Sequence, residues 1–195
     1  FQLNDNLTAT GAATLTIGAL NLNTRVLTAL TFTSNNSNTR SIAFGTSNIT
    51  VTGTSFNTGG ATGFTYTGTP TINLTNTGNI TITAADHTSS NALNYNVTAS
   101  TGTFVLSGGS TTRILSLNFT GSSVTWSPGT LSTIDFNGSL TLTSGMTLTT
   151  ANASWTWSSA GTLTSAGITM MPFTILSGTL TLADNLVITA SDGIA

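Results

Sequence analysis

Glycan hydrolysis on a protein scaffold needs two carboxylates held close together, one to donate a proton and one to act as base or nucleophile. This chain has no Glu, so the candidates are Asp5, Asp86, Asp135, Asp184 and Asp192. Asp5 and Asp184 each precede an Asn in matching stretches, LNDNL and LADNL, and read as turn residues that recur with the fold. Asp135 lies in an alternating apolar stretch beside Phe136, and Asp192 falls near the end of the sequence. Only Asp86 and His87 stand together, in AADHTSSN. They would form an acid/base or metal pair, or the polar tip of a loop; on a strand, adjacent side chains point to opposite faces, which favours the loop tip. One His and no Cys cannot build a structural zinc site. Gly59-Gly60 and Gly108-Gly109 lack the Asp that completes a calcium-binding β-roll repeat. No Gly-x-Ser-x-Gly elbow is present. No catalytic, cofactor-binding or metal-binding residue is assigned, no cofactor is expected, and the chain is not expected to be an enzyme.

Two other residue types could make a binding surface. The triplets starting at Thr14, Thr31, Thr50, Thr65, Thr81, Thr141, Thr147, Thr162 and Thr179 each place two Thr on one face of a strand around one apolar residue on the other. Ranked on one face in consecutive coils they would order water as an ice-binding surface does, but Thr141 and Thr147 fall on different sides of the arrangement derived below. Trp126, Trp155, Trp157, Tyr66 and Tyr95 would stack on sugars if exposed, yet most occupy inward positions of the alternation. Arg25, Arg40 and Arg113 are isolated in sequence and are expected in loops or on exposed strand faces. Asn-x-Ser/Thr sequons begin at Asn6, Asn35, Asn48, Asn73, Asn79, Asn96, Asn118, Asn137 and Asn152. With Ser and Thr this abundant, about seven would arise by chance, so no glycosylation is inferred. Stacked amide ladders account for the Asn residues without it.

The elements that must position these residues come from an unusual composition. Thr (46), Ser (23), Asn (19) and Gly (20) make up more than half of the 195 residues, and only 4% are charged. There is no Lys, and the net charge is −2, which leaves no electrostatic footprint for nucleic acid. Disorder is excluded because 38% of residues are apolar and regularly placed. No apolar run approaches the ~18 residues of a membrane helix, so membrane insertion is not expected. The sequence does not begin with Met and is read as a segment of a longer protein.

The regular placement has a period of two. Leu15 and Ile17, Ile42 and Phe44, Ile49 and Val51, Phe64 and Tyr66, Ile80 and Ile82, and Leu140 and Leu142 are each separated by one residue. Such pairs share one face of a strand, and no stretch has helical spacing, so the chain is expected to be all-β. A longer period overlies this. Ile134 and Phe136, Trp155 and Trp157, then Phe173 and Ile175 read as successive visits to one side. Leu140 and Leu142, Leu163, then Leu180 and Leu182 read as a second side; Met146 and Leu148, Ile168 and Met170, then Leu186 and Ile188 read as a third. Each side recurs after roughly 20 residues, the register of a three-sided parallel β-solenoid, which for this length gives about nine coils. Met170-Met171-Pro172 is expected at a corner, because Pro cannot donate to an interior ladder. The stretch from Gly138 echoes that from Gly178 at an offset of 40, which reads as two coils. A β-sandwich would also give short alternating strands, but not three sides repeating in one direction at a constant coil length. Right-handed winding is expected from the general rule for parallel crossovers.

Leu3, Asp5, Asn6 and Leu7 match Leu182, Asp184, Asn185 and Leu186 at an offset of 179. Residues 1–195 are therefore expected to form a single solenoid segment, one ~179-residue unit of a longer tandem array stabilised by stacking of neighbours. The segments from Ser34 to Gly53, Ala61 to Thr75 and Ser177 to Ala190 resemble repetitive Thr/Ser/Asn-rich proteins of marine bacteriophages, of the tail-fibre or virion-appendage type. The resemblance implies a non-catalytic structural rod at an extracellular location, on a virion or cell surface. Its expected partners are neighbouring repeats or chains, with a host-surface glycan bound through a tip domain outside this segment. A bacterial adhesin stalk or extracellular filament is the alternative, and an ice- or glycan-binding solenoid the third.

Overall fold

Alternation at period two commits each segment to a strand with one apolar face, and a chain of such strands must close its apolar face against itself. The computed structural model describes residues 1–59, 62–84, 92–98, 101–109, 111–127, 129, 133–149 and 153–189. Among them are 21 strands and no helix. Every pairing between these strands is parallel. The chain winds as a three-sided β-solenoid.

Side one stacks Gly18–Asn21, Arg40–Gly45 and Phe64–Gly68. Further along the axis it stacks the first half of Thr111–Phe119, then Thr133–Phe136, Ser154–Trp157 and Phe173–Ile175. Side two runs from the first halves of Leu7–Thr14, Leu27–Thr33 and Asn48–Asn57 through Thr71–Leu74 and Leu93–Val97. It continues through the second half of Thr111–Phe119, Leu140–Thr141, Gly161–Thr164 and Leu180–Leu182. Side three takes the second halves of the first three long strands, then Ile80–Thr83, Thr103–Ser107, Thr125–Ser127 and Thr147–Leu148. Thr169–Met170 and Val187–Ile188 pair with each other on the same side.

The side assignments read from the C-terminal third hold: Ile134, Trp155 and Phe173 are register partners, as are Leu140, Leu163 and Leu182, and Met170 with Ile188. Met171 and Pro172 turn the corner between Thr169–Met170 and Phe173–Ile175. Coil length varies more than expected, from 18 residues between Trp155 and Phe173 to 26 between Phe56 and Ile82. Longer coils mean fewer of them. The described residues give about 7 turns with all three sides complete, not nine; the turn starting at Thr71 has its third side outside the described residues, and the one starting at Leu180 has two sides. The offset of 40 also misses the register on side two, where Leu140 stacks through Leu163 onto Leu182, 42 residues away. Corners absorb the difference.

The core is a set of columns parallel to the axis. On side two the inward column Leu27, Ile49, Ile72, Tyr95, Leu117, Leu140, Leu163 is completely buried. Large rings fill the lumen beyond the middle of the chain. Phe104, Phe119, Trp126, Trp155, Phe136, Trp157 and Phe173 form one chain of contacts, with successive centroids 5.1, 5.6, 4.8, 5.8, 4.6 and 4.9 Å apart. Truncating one such buried ring to Ala typically costs about 3–5 kcal/mol, so this zipper is a main source of stability. Among the described residues Trp126 Nε1 and Trp155 Nε1, inside this zipper, and Tyr95 Oη, whose ring meets Phe56 edge-on, are buried without a hydrogen-bond partner. At the corner between sides one and two, coils approach closely enough that a Cβ on Gly161 would collide with the carbonyl of Gly138, and one on Gly138 with the carbonyl of Leu115.

Candidate functional site

Winding the chain brings residues one coil apart into contact. Arg113, Asp135 and Thr156 are register partners on side one. Asp135 Oδ2 lies 2.7 Å from Arg113 Nε, and Asp135 Oδ1 accepts hydrogen bonds from Thr156 Oγ1 at 3.1 Å and Ser158 Oγ at 2.7 Å. The carboxylate is almost completely buried while the Arg113 side chain is 38% exposed. Three donors engage the carboxylate, which serves as a tie between three coils.

Asp184 works in a similar way at a corner. Its carboxylate accepts from the backbone N–H groups of Ser165 (2.9 Å) and Ala166 (2.6 Å) and from Ser165 Oγ (2.9 Å), all one coil earlier. The Ser165 N–H first, then the Ser165 hydroxyl and the Ala166 N–H, hold its pKa below the ordinary 3.8, against a smaller opposing effect of burial. The matching stretch at the other end uses its Asn: Asn6 Oδ1 accepts from the Val26 N–H, one coil later, at 2.9 Å. The two copies occupy different corners. Leu182 to Leu186 joins side two to side three, whereas Leu3 to Leu7 leads from side one to side two. Asp86, His87 and Asp192 lie outside the described residues, as does the sequon at Asn152. Among the described residues no group of three or more His, Cys, Asp or Glu could hold a metal ion.

Arg40 corrects an expectation. It is completely buried, not exposed. Its guanidinium donates to the carbonyls of Ser34 (2.8 Å), Asn38 (2.8 Å) and Thr62 (2.9 Å) and to Ser34 Oγ (2.7 Å), and it stands 5.7 Å from the Phe64 ring centroid. Burial pulls its pKa down, but a guanidinium surrounded by carbonyl oxygens stays charged. It staples the loop after Leu27–Thr33 to the next coil. Arg113 lies on a strand with its side chain partly exposed, close to expectation, and is ion-paired with Asp135; Arg25 is exposed at a corner, as expected.

The Thr-x-Thr triplets fall on all three sides, as the sequence indicates, but one outward surface is more uniform than the triplets suggest. On side two, Thr28, Thr50, Asn73, Asn96, Asn118, Thr141 and Thr164 form one unbroken column of register partners. Beside it Thr52, Thr75, Thr98 and Thr120 bond through Oγ1 to the carbonyls of Ala29, Val51, Leu74 and Val97 in the preceding coil. Asn96 Nδ2 donates to Asn73 Oδ1 at 3.0 Å. The sequons at Asn73, Asn96 and Asn118 are thus consecutive rungs of one ladder, ~4.8 Å apart, a spacing that leaves no room for a glycan on each. Trp126, Trp155, Trp157 and Tyr95 are buried in the core, so they offer no sugar platform; Tyr66 is partly buried and donates through Oη to the Ala92 carbonyl at 2.7 Å, and burial raises its pKa.

The remaining distinctive surfaces are the ends. A cleft of about 460 Å³ opens at the first turn among Leu7, Ala9, Ala13, Leu15, Ile17 and Leu20. At the other end Leu182, Val187 and Ile188 are about half exposed. No residue pattern signals Arg40's burial; the Arg113–Asp135 pair, which the sequence reading missed, has a signal in its spacing of 22, one coil length. No protein-family model matches the chain, and no curated protein or solved structure matches it either.

Proposed function

We propose that this chain is a length of stiff, non-catalytic fibre exposed outside cells, of the virion-appendage class, with a bacterial adhesin stalk or extracellular filament as the alternative. The observation that supports it is the inward column of side two, which continues without interruption from Leu27 to Leu163 with parallel ladders on the surrounding sides. Such a column bends only by breaking ladder bonds in every coil it crosses, so its natural product is stiffness. The carboxylates of Asp135 and Asp184 are held in bonds between coils, consistent with a mechanical role. The low charge and the repeat texture of marine phage proteins support the extracellular, virion-surface placement.

Immunogold electron microscopy of the native source, with antibody against this segment, tests the reading. Gold along thin fibres of virus particles is the expected result. Gold on cell-surface filaments with bare virions would replace the virion by the cell, and gold on neither kind of fibre would overturn the rod. A water-ordering surface is the second reading, favoured by Thr or Asn followed two residues later by Thr in five consecutive coils of side two, starting at Thr50, Asn73, Asn96, Asn118 and Thr141. Internal bonds already occupy the second Thr of these pairs, which favours the rod. Thermal hysteresis of the purified chain, expected to be nil, separates the two.

A further inference from the structure

We infer that the peptide bond between Arg25 and Val26 is a processing site for an endoprotease of trypsin-like specificity, and that the fold confines such an enzyme to this one bond. The inference goes beyond the rod reading and rests on the solenoid alone. An enzyme of this class needs a cationic side chain on the acyl side of the bond it cuts. The whole chain has no Lys and three Arg, so it holds three such bonds. The solenoid closes two of them. Arg40 is completely buried, with its guanidinium bonded to the carbonyls of Ser34, Asn38 and Thr62. Arg113 lies inside the strand Thr111–Phe119, in ladder register with Asp135 and tied to its carboxylate through Nε.

Arg25 differs. It stands exposed with Asn23 and Thr24 at the corner that joins Gly18–Asn21 to Leu27–Thr33. Asn23 and Thr24 hold φ angles of 50° and 63°, in the left-handed region that costs a residue with a side chain. Coils flank this corner on both sides along the axis: Asn23 Nδ2 donates to the Leu3 carbonyl at 3.1 Å, and the Leu22 N–H to the Ala43 carbonyl at 2.9 Å. Its exposure therefore does not depend on an end of the rod. Around the bond to be cut, the Arg25 N–H donates to the Leu22 carbonyl (2.8 Å) and the Val26 N–H to Asn6 Oδ1 (2.9 Å).

Proteolysis of a folded chain proceeds through local opening, at a rate set by how often the segment opens. Opening residues 23–26 releases two left-handed residues and a few single bonds, whereas opening at Arg40 or Arg113 tears a strand from its ladder. Hydrolysis adds one water across the bond and leaves a carboxylate on Arg25 and an ammonium on Val26. The nick does not part the rod. Residues 1–25 stay joined through Leu7–Thr14 against Leu27–Thr33 and Gly18–Asn21 against Arg40–Gly45, with Leu3, Leu20 and Leu22 buried in the core. The product is a two-piece solenoid.

Limited digestion of the folded 195-residue chain with trypsin tests the site, read by mass spectrometry after denaturation and by size-exclusion chromatography without it. A single cut is expected, giving residues 1–25 and 26–195 that elute together at the position of the intact chain. Arg25→Gln should leave the chain uncut under the same conditions. Asn6→Ala removes the acceptor of the Val26 N–H and should speed the cut about fivefold, the worth of one hydrogen bond in the open population. Cutting first at Arg40 or Arg113, an unchanged rate in Asn6→Ala, or fragments that separate without denaturant would overturn the inference. A chain left whole by trypsin that digests its urea-unfolded form would overturn the site and leave the rod intact. Cutting at all three Arg as fast as in the unfolded chain would overturn the solenoid, and the rod with it.

Discussion

Asp135 is held by groups that the chain brings round at three consecutive coils, so its removal should be felt as lost stability. Asp135→Ala leaves Arg113 and the Thr156 and Ser158 hydroxyls without their acceptor. The expected cost is about 2 kcal/mol in urea unfolding, below the about 3–5 of a fully buried pair because Arg113 keeps access to water. Tyr95→Phe should go the other way. Its hydroxyl is buried without a partner and burial pushes its pKa up, so removing the oxygen should stabilise the chain by about 1 kcal/mol. Asp184 links the last turn to pH. Its folded pKa is depressed, so its contribution is complete above the ordinary carboxylate value and is lost as pH falls through the lower, folded one. Amide exchange at Ser165 and Ala166 should therefore quicken below about pH 4, a dependence that Asp184→Asn removes. Of these ties, Arg113–Asp135 was legible in the sequence once coil length was known. Arg40 was not, because its acceptors are carbonyls of a loop whose path no side-chain pattern records.

Strands and corners set the next scale. Alternation reveals which residues face inward, and near-constant coil length reveals which side they occupy, so the last third of the chain was readable side by side. Earlier coils were not, because long strands turn corners through register shifts between Ala9 and Ala12, Ala29 and Thr31, and Ile114 and Ser116. Each shift adds residues to the coil without altering the alternation on either flank. The same tolerance explains why Leu140 meets Leu182 and not Leu180. Where corners do become exacting is at close backbone approach. Gly161→Ala should destabilise by about 2–3 kcal/mol, since its Cβ would meet the Gly138 carbonyl with no side chain able to give way. Gly11→Ala, with nothing within 4 Å of its Cβ, should be neutral or slightly stabilising. Thermal melts of the two variants make the comparison.

At the scale of the whole molecule, the solenoid repeats its contacts along one axis. Its core rings, from Phe104 to Phe173, and its side-two column follow that axis, and its described carboxylates other than Asp5 are spent on joining coils. Among the described residues an apolar hollow opens at the first turn. Fold class and, in the last third of the chain, side assignment were legible from composition and period. Cryo-electron microscopy of whatever native structure an antibody to this segment labels tests the proposed rod most directly. The expected result is a three-sided cross-section with strands running around the fibre and stacked ~4.8 Å apart along its axis. Strands running along the axis, or a globular body in place of a fibre, would contradict it.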